Sequence, residues 1–198
     1  MMNGNNGVGK DLIKKMFKET SPGIAIELGV WKGGLTRVLA EKFEEVHAVD
    51  SWHTRAYENT TEWDGMLGYL KRYSKKYNIP PLENLLQKEY EKVYKHVCEK
   101  FAKHKHVHIH RMTTDEFFTE YKGGADLIYV DASHSYKDVL SDLKNSWKIL
   151  NKNGVMIADD YQTDGWKPDV TKAVNEFSTK NELGFYVEQE QAIFQKQK

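Results

Sequence analysis

The amino-acid sequence predicts an α/β fold, with a mainly parallel sheet covered by helices on both faces. Short apolar runs typical of buried strands alternate with stretches whose apolar residues recur at helical spacing. A glycine-rich turn follows the first run, and only three residues separate the last two runs. Strand–helix–strand units build parallel sheets, whereas so short a final link indicates an antiparallel hairpin.

The predicted elements follow one another in a regular order. Strands are predicted at 23–28, 46–50, 107–110, 126–131 and 155–158, and the hairpin at 185–188 and 192–194. Two helices are predicted at 11–18 and 36–43. A further helix is predicted to run from His134 or Ser135 until Gly154 ends it, and Pro168 suits the first turn of the last helix.

Composition and charge narrow the class of protein. The chain has 198 residues, enough for one domain with a buried core. Its 29 basic residues balance 29 acidic ones, which argues against a nucleic-acid or membrane partner held by bulk charge. Cys98 is the only cysteine, and no apolar run resembles a signal peptide or a membrane span. We therefore expect a cytoplasmic protein.

Two segments stand apart from the alternating pattern. Residues 1–9 are rich in glycine and asparagine, and we expect a disordered tail before a single domain over 10–198. About 55–103 holds two amphipathic helical stretches, although a crossover between strands two and three needs only one helix. This insertion is predicted to cover the core, or alternatively to act as a lid over a substrate or as the contact surface of a homo-oligomer.

The turn after the first strand reads E-L-G-V-W-K-G-G over 27–34. Glycines let a ligand approach the backbone closely, and the helix N-terminus that follows attracts negative charge. Asp50 ends the second strand about 20 residues beyond Gly29, where a carboxylate can bond ribose hydroxyls. The alternative is a structural turn with a helix-capping acid. Trp31 stands where the dinucleotide pattern G-x-G-x-x-G has its second glycine, which counts against an NAD(P)-dependent oxidoreductase.

Segment 27–34 resembles motif I of class I S-adenosylmethionine-dependent methyltransferases, E-x-G-x-x-x-G. The resemblance covers about residues 20–195 and implies a Rossmann-like, mostly parallel seven-stranded sheet with a reversed C-terminal hairpin. It implies that Gly29 and Gly33 lie against the methionine part of the cofactor, that Asp50 holds the ribose and that Met112 to Asp115 line the adenine. The full set of implied cofactor contacts is Glu27, Gly29, Trp31, Gly33, Asp50, Ser51, Met112, Thr113 and Asp131.

Three carboxylates follow the fourth and fifth predicted strands. Asp131 ends the fourth strand, and Asp159 and Asp160 follow the fifth. The carboxyl ends of neighbouring parallel strands meet at the ligand-binding edge of the sheet. Clustered carboxylates repel one another, and a divalent cation such as Mg²⁺ removes that repulsion. The sequence thus predicts a metal site of Asp131, Asp159 and Asp160; the alternative is a set of solvated loop acids and a helix cap.

The pattern resembles the metal-dependent sugar O-methyltransferases of macrolide and aminocoumarin biosynthesis, which carry Asp-Gly-Asp after the fourth strand and Asp-Asp after the fifth. Ser133 stands where the second acid of the first motif would be, so His134 is predicted as the base that accepts a hydroxyl proton. Its alternative role is to cap a helix or to bond an acid. Asp131-x-x-His134-x-Tyr136 also resembles a broader bacterial methyltransferase group. Trp52, Tyr161 and Trp166 are predicted to wall the acceptor pocket.

The function predicted from these residues is methyl transfer to a hydroxyl of a small acceptor. A non-catalytic methyltransferase-like binding module is a further alternative.

Residues 4–10 match most of a phosphate-binding loop, which we attribute to chance because no strand precedes them. The alternating histidines at 104, 106, 108 and 110 are predicted to form a solvated strand face, because an extended strand spreads them too far apart for one zinc ion.

Overall fold

The structure is a computed structural model that describes residues 7–17, 21–53, 75–76, 82–162 and 167–197. Within these residues, helices alternate with strands along the chain. The helices are α1 (Gly7–Met16), α2 (Gly34–Ala40), α3 (Leu82–Phe101), α4 (Thr114–Glu120), α5 (Tyr136–Ile149) and α6 (Pro168–Lys180). The strands are β1 (Ser21–Leu28), β2 (Phe43–Asp50), β3 (Val107–Arg111), β4 (Ala125–Val130), β5 (Leu150–Ala158), β6 (Tyr186–Glu188) and β7 (Gln191–Gln195).

The seven strands form one sheet in the order β3-β2-β1-β4-β5-β7-β6. The first five are parallel to their neighbours, and β7 pairs antiparallel with β5 and with β6. The predicted Rossmann-like fold with a reversed closing hairpin is therefore confirmed. The order places β2, β1, β4 and β5 side by side, so that their carboxyl ends share one edge of the sheet.

Apolar side chains fill both faces of the sheet. On one face, α5 and α6 pack with Phe117 of α4 against Ile128, Met156 and Phe194. On the other face, α1 and α2 cover a second cluster that contains Tyr129 and Ile157. The central strands β1 and β4 are buried on both sides, which explains why their sequences are continuous apolar runs.

The inserted helix α3 packs against the carboxyl end of β2. Its Tyr90, Val97 and Phe101 form a third cluster with Val30 and Trp52. The first of the two predicted inserted stretches lies outside the described residues, apart from the helical pair at 75–76. No helix in the described part of the chain is long and apolar enough to cross a membrane.

Several boundaries differ from the sequence prediction. Helix α1 begins at Gly7, so residues 7–9 of the expected tail are helical. Helix α5 ends at Ile149 rather than at Gly154, because β5 already starts at Leu150. The Gly154 carbonyl accepts a hydrogen bond from the Lys196 N–H, and the Asn153 N–H donates to the Lys196 carbonyl. Pairing with the C-terminal segment thus lengthens β5 at its N-terminal end, through residues that the sequence predicts to be the end of a helix.

The predicted solvated histidine face is correct for His104 and His108, which are exposed, but His106 and His110 are half-buried. The His47 and His110 rings lie 5.1 Å apart, and burial lowers the pKa of both imidazoles, that of His47 to about 4. His47 is buried beside Phe117 and Tyr121. The sequence pattern of β3 alone could not show this, because the covering rings come from β2 and α4.

Candidate active site

The turn after β1 lies between the ends of β2 and β4. The Gly29 N–H donates to the Val49 carbonyl at the end of β2, and the Asp131 N–H donates to the Leu28 carbonyl. A Cβ atom built on Gly29 would lie 1.9 Å from the Asp131 carbonyl oxygen, and the Gly29 φ of 91° is one that side chains rarely allow. Only glycine fits here, and the close approach brings the glycine-rich turn against the backbone of the acid.

Asp50 is held by three described backbone amides. Its Oδ2 accepts hydrogen bonds from the Val30 N–H at 3.1 Å and the Trp31 N–H at 2.9 Å. Its Oδ1 accepts one from the Trp52 N–H at 2.8 Å. Burial raises the pKa of this carboxyl, and the three amides oppose that shift. Among the described residues, Oδ1 accepts one bond, and because a carboxylate oxygen can accept two, it can also accept one from a ligand hydroxyl.

Trp52 and α3 support the turn from behind. The Trp52 indole N–H donates to the Trp31 carbonyl at 2.9 Å, and the Gln87 side chain of α3 donates to the Trp52 carbonyl at 3.2 Å. The Lys100 ammonium donates to the Gly33 carbonyl at 2.5 Å. The predicted role of Trp52 as a wall of the acceptor pocket is wrong, because its side chain is fully buried under the turn.

Glu27 lies beneath the turn rather than on its surface. Its carboxyl is buried and accepts a hydrogen bond from the Thr36 hydroxyl at 2.5 Å. Burial raises the pKa of Glu27 to about 8; the Thr36 bond opposes the rise, and the charges of Asp131 and Asp50 add to it. Glu27 thus supports the start of α2 from inside the protein, and its predicted contact with the cofactor stays a prediction.

The raised pKa of Glu27 makes stability depend on pH. The folded state binds this proton more tightly than the unfolded state, whose carboxyl titrates near 4.5, so stability falls as the pH rises from about 4.5 to about 8. We expect a loss on the order of 4 kcal/mol from this group. Urea unfolding at pH 5 and pH 8 would measure it, and Glu27→Gln should lose distinctly less stability over this range. An equal loss in both proteins would contradict the assignment.

The residues implied for the adenine follow β3. The Met112 N–H donates to the Asp50 carbonyl at 3.1 Å, which ties this segment to the end of β2. Thr113 forms a capping box with Glu116 at the start of α4. Ser51 is half-buried, and its hydroxyl accepts a hydrogen bond from the His53 N–H. All three lie at the same edge of the sheet as Asp50, and their contacts with a cofactor stay predictions.

Four charged side chains meet beyond β4 and β5. The His134 Nε2 lies 3.0 Å from Asp160 Oδ2 and 3.8 Å from Asp131 Oδ1. The Lys167 ammonium bonds Asp160 and lies 2.9 Å from His134 Nε2. These side chains are between 21% and 27% exposed, so solvent and a ligand can reach them. We call Asp131, His134, Asp160 and Lys167 the charged cluster.

Local backbone geometry directs these side chains. Asp160 has a φ of 61°, in the left-handed region that is unfavourable for most residues. Ser135 caps α5 by accepting the Asp138 N–H, which leaves His134 in the loop just before the helix. Lys167 immediately precedes Pro168 at the first turn of α6. Two connections therefore bring the charged cluster together, the one between β4 and α5 and the one between β5 and α6.

The charges of the cluster shift the pKa values of its members. Burial opposes protonation of His134, but the hydrogen bonds with Asp131 and Asp160 outweigh it and raise the pKa of His134 to about 9. Burial alone would raise the pKa of Asp160, and its bonds to His134 and Lys167 instead hold it below the ordinary value. Burial raises the pKa of Asp131, which His134 partly offsets.

Asp159 hydrogen-bonds the C-terminal hairpin. Its Oδ1 accepts a hydrogen bond from the Gln191 amide at 3.1 Å, and the same amide donates to the Tyr129 hydroxyl at 2.6 Å. Burial and the charges of Asp131 and Asp160 raise the pKa of Asp159 to about 7. Among the described residues, the donor atoms close enough to share a metal ion belong to Asp131, His134 and Asp160. The observed set therefore has His134 where the sequence predicts Asp159.

Sequence reasoning missed Lys167, Tyr129 and Gln191. Lys167 lies seven residues after Asp160 with no motif to mark it, and Gln191 comes from the reversed hairpin.

Tyr161 is buried against Phe185, so its predicted role as a pocket wall is wrong. Trp166, the third predicted wall residue, lies outside the described residues.

Comparisons with known proteins agree with this architecture. A family model described as a methyltransferase domain matches residues 26–161, which is more than half of the chain. The uncharacterized protein R132 of Acanthamoeba polyphaga mimivirus is 34% identical over 83 residues, a match that covers 40% of this chain and 38% of that protein. The match with R132 therefore spans well under half of that relative's length.

Solved methyltransferase structures share the fold. The O-methyltransferase NovP superposes with a TM-score of 0.62 at 16% identity, covering 96% of this chain and 80% of NovP. The SMU.1697c protein of Streptococcus mutans, solved in complex with SAH, superposes with a TM-score of 0.60 at 11% identity, covering 99% of each chain. The glycine-rich turn, Asp50 and the reversed hairpin lie within this shared fold. With the family model spanning the glycine-rich turn, Asp131, His134 and Asp160, the chain belongs to the methyltransferase-domain family, and its fold is that of class I S-adenosylmethionine-dependent methyltransferases.

Proposed function

We propose that this protein transfers the methyl group of S-adenosylmethionine to a hydroxyl of a small acceptor such as a sugar. The observation that carries the proposal is the position of the charged cluster. Gly29 of the glycine-rich turn packs against the backbone of Asp131, so the charged cluster lies directly beside the turn that is expected to hold the cofactor. A solvent-reachable imidazole that lies 3.0 Å from the Asp160 carboxylate and 3.8 Å from that of Asp131 suits an acceptor whose hydroxyl must lose a proton.

The residues of the turn fit the cofactor. Asp50 presents an oxygen with acceptor capacity beside the turn, as a ribose hydroxyl requires. Gly29 lets the turn pack directly against the Asp131 backbone, which holds the turn in place beside Asp50. When bound, S-adenosylmethionine supplies an electrophilic methyl group on a sulfonium, and the sulfur keeps the electron pair of the broken bond.

The charged cluster positions the acceptor and removes its proton. In-line transfer requires the acceptor oxygen to be held in one place, and Asp131 and Asp160 offer carboxylate acceptors for the hydroxyls of the substrate. His134 takes the hydroxyl proton only in its neutral form, which is the minor form at pH 7 because its pKa is raised to about 9. The Nε2 lone pair that receives the proton must first leave its contact with the Lys167 ammonium, and the imidazolium that results is stabilised by Asp131 and Asp160. Asp160 also fixes the position of the Lys167 ammonium.

A divalent metal is the second way in which this cluster could lower the pKa of an acceptor hydroxyl. Asp131, His134 and Asp160 would hold the ion, and it would act as a Lewis acid on the acceptor oxygen. Two carboxylates and an imidazole suit Mn²⁺, Fe²⁺ or Zn²⁺ better than the predicted Mg²⁺, which prefers oxygen ligands alone. Metal assistance is the alternative to catalysis by the protein's own side chains at this cluster. The cytoplasmic location and self-association through the inserted helices are further proposals.

NovP supports an oxygen acceptor only by analogy, because a shared fold does not determine the substrate. The direct test offers the protein S-adenosylmethionine together with a panel of sugars, polyols and catechols. Formation of S-adenosylhomocysteine, measured by mass spectrometry, is expected with a hydroxylated acceptor. Calorimetry that detects no binding of S-adenosylmethionine would contradict the proposal.

Asp160→Asn is expected to lower turnover at least about hundredfold while leaving the affinity for S-adenosylmethionine within about twofold. The reason is that Asp160 bonds both His134 and Lys167, whereas the described contacts of the cofactor turn do not include it. Steady-state rates and calorimetry measure the two quantities. Asp11→Asn, on the exposed face of α1, is the matched control. Equal rates for Asp160→Asn and wild type would remove the cluster from the mechanism.

A further inference from the structure

The Lys167 side chain occupies the position in the charged cluster where a cation is needed. Its ammonium bonds Asp160 and lies 2.9 Å from His134 Nε2, so it contacts two of the three residues that could hold a metal ion. No motif marks Lys167 in the sequence, and the chain brings it there from the residue before α6. A lysine at this point gives the two carboxylates a positive partner that belongs to the protein.

We propose that Lys167 is the resident cation of the charged cluster and excludes a divalent metal from it. The inference rests on the proposed function, because it assigns to Lys167 the electrostatic role that a metal would otherwise have at the acceptor site. In this arrangement, the two carboxylates have the Lys167 ammonium and, while His134 is protonated, its imidazolium as positive partners without any bound ion.

Geometry makes the two cations alternatives. A metal bonded to His134 Nε2 would lie about 2.1 Å from that atom. Because the Lys167 Nζ lies 2.9 Å from the same atom, the metal and the ammonium could be no more than about 5 Å apart. Two positive charges at this separation repel strongly in a partly buried site. Metal binding would require Lys167 to leave, and Asp160 and His134 would each lose a partner.

Lys167 also has a means of acting on the acceptor. An ammonium has three donors, and the described contacts with Asp160 and His134 use two of them. An N–H that is not bonded to Asp160 can donate to an acceptor hydroxyl oxygen and stabilise the negative charge that develops as the hydroxyl loses its proton. Lys167, held in place by Asp160, therefore stabilises the negative charge on the acceptor oxygen, as a metal ion does in a metal-dependent enzyme.

The test compares Mn²⁺ binding to the full-length wild type and to charge variants, with electron paramagnetic resonance to count free Mn²⁺. Lys167→Met is expected to bind Mn²⁺ at least about tenfold more tightly than wild type, because the competing charge is gone. Lys167→Arg keeps the charge and should exclude Mn²⁺ as wild type does. Lys152→Met, an exposed site at the opposite end of β5, is the matched control and should also behave as wild type.

Two further measurements locate the effect. Adding Asp160→Asn to Lys167→Met should abolish the gained Mn²⁺ site, which identifies the charged cluster as the place of binding. Lys167→Gln provides a second neutral variant should the methionine variant unfold in a thermal melt. Where turnover is measurable, wild type should keep its rate in EDTA.

Wild type that binds Mn²⁺ as tightly as Lys167→Met would overturn the inference, as would a loss of wild-type turnover in EDTA. These outcomes are distinct from failure of the proposed function. Absence of S-adenosylmethionine binding would contradict the proposed function, but the comparison of Mn²⁺ affinities between wild type and Lys167→Met could still be interpreted. Binding of the cofactor together with tight Mn²⁺ binding by wild type would end only the role of Lys167.

Discussion

Gly29→Ala is expected to lower the free energy of unfolding by about 3 to 5 kcal/mol and to abolish binding of S-adenosylmethionine. Two effects add. The φ of 91° is strained for any side chain, and the new Cβ would lie 1.9 Å from the Asp131 carbonyl oxygen, inside van der Waals contact. Because the neighbouring atom is backbone, no side-chain rotation can relieve the clash. The turn must move, and it would carry the cofactor site and Asp131 with it.

Urea unfolding and calorimetry with S-adenosylmethionine measure the two effects. Gly184→Ala is the matched control, since a Cβ there meets no atom within 4 Å and its stability should change by less than about 1 kcal/mol. If Gly29→Ala folded with the stability and affinity of wild type, the close approach of the turn to β4 would be refuted.

Asp50→Asn is expected to weaken S-adenosylmethionine binding about hundredfold. Hydrogen bonds to a charged acceptor contribute about 1.5 to 3 kcal/mol each, and the amide loses the charge on which the ribose contacts depend. The substitution also replaces one carboxylate oxygen by an NH₂ group. This NH₂ group would face a backbone N–H of Val30, Trp31 or Trp52, so that two donors would meet and one hydrogen bond would be lost. Calorimetry gives the affinity, and amide hydrogen exchange reports whether the turn has loosened.

The control for Asp50 is Glu44→Gln, an exposed acid on the same strand, which should bind the cofactor as wild type does. The two explanations of a weakened affinity can be separated. Loss of affinity with unchanged exchange in the turn assigns Asp50 to direct contact with the ligand. Unchanged affinity would contradict the proposal that Asp50 holds the ribose.

The inserted segment shows where the sequence prediction reaches its limit. Its amphipathic pattern indicates helices, and α3 runs from Leu82 to Phe101 as one of them. The pattern does not say what the apolar face covers. In the fold that face packs on Val30 and Trp52, and Lys100 reaches the Gly33 carbonyl, so α3 supports the cofactor turn instead of standing free above the core. Only the neighbours brought by the fold decide between these roles.

The sequence by itself determined the layered α/β fold, the reversed hairpin, the turn at 27–34 and the acids at the strand ends. These depend on local periodicity, on glycine backbone freedom and on the rule that parallel strands present their carboxyl ends together. Only the tertiary structure decided that His134 rather than Asp159 joins Asp131 and Asp160, and that Lys167 completes the group. Side-chain direction at a loop depends on partners distant in the chain, such as Gln191 for Asp159, and local sequence carries no signal of them.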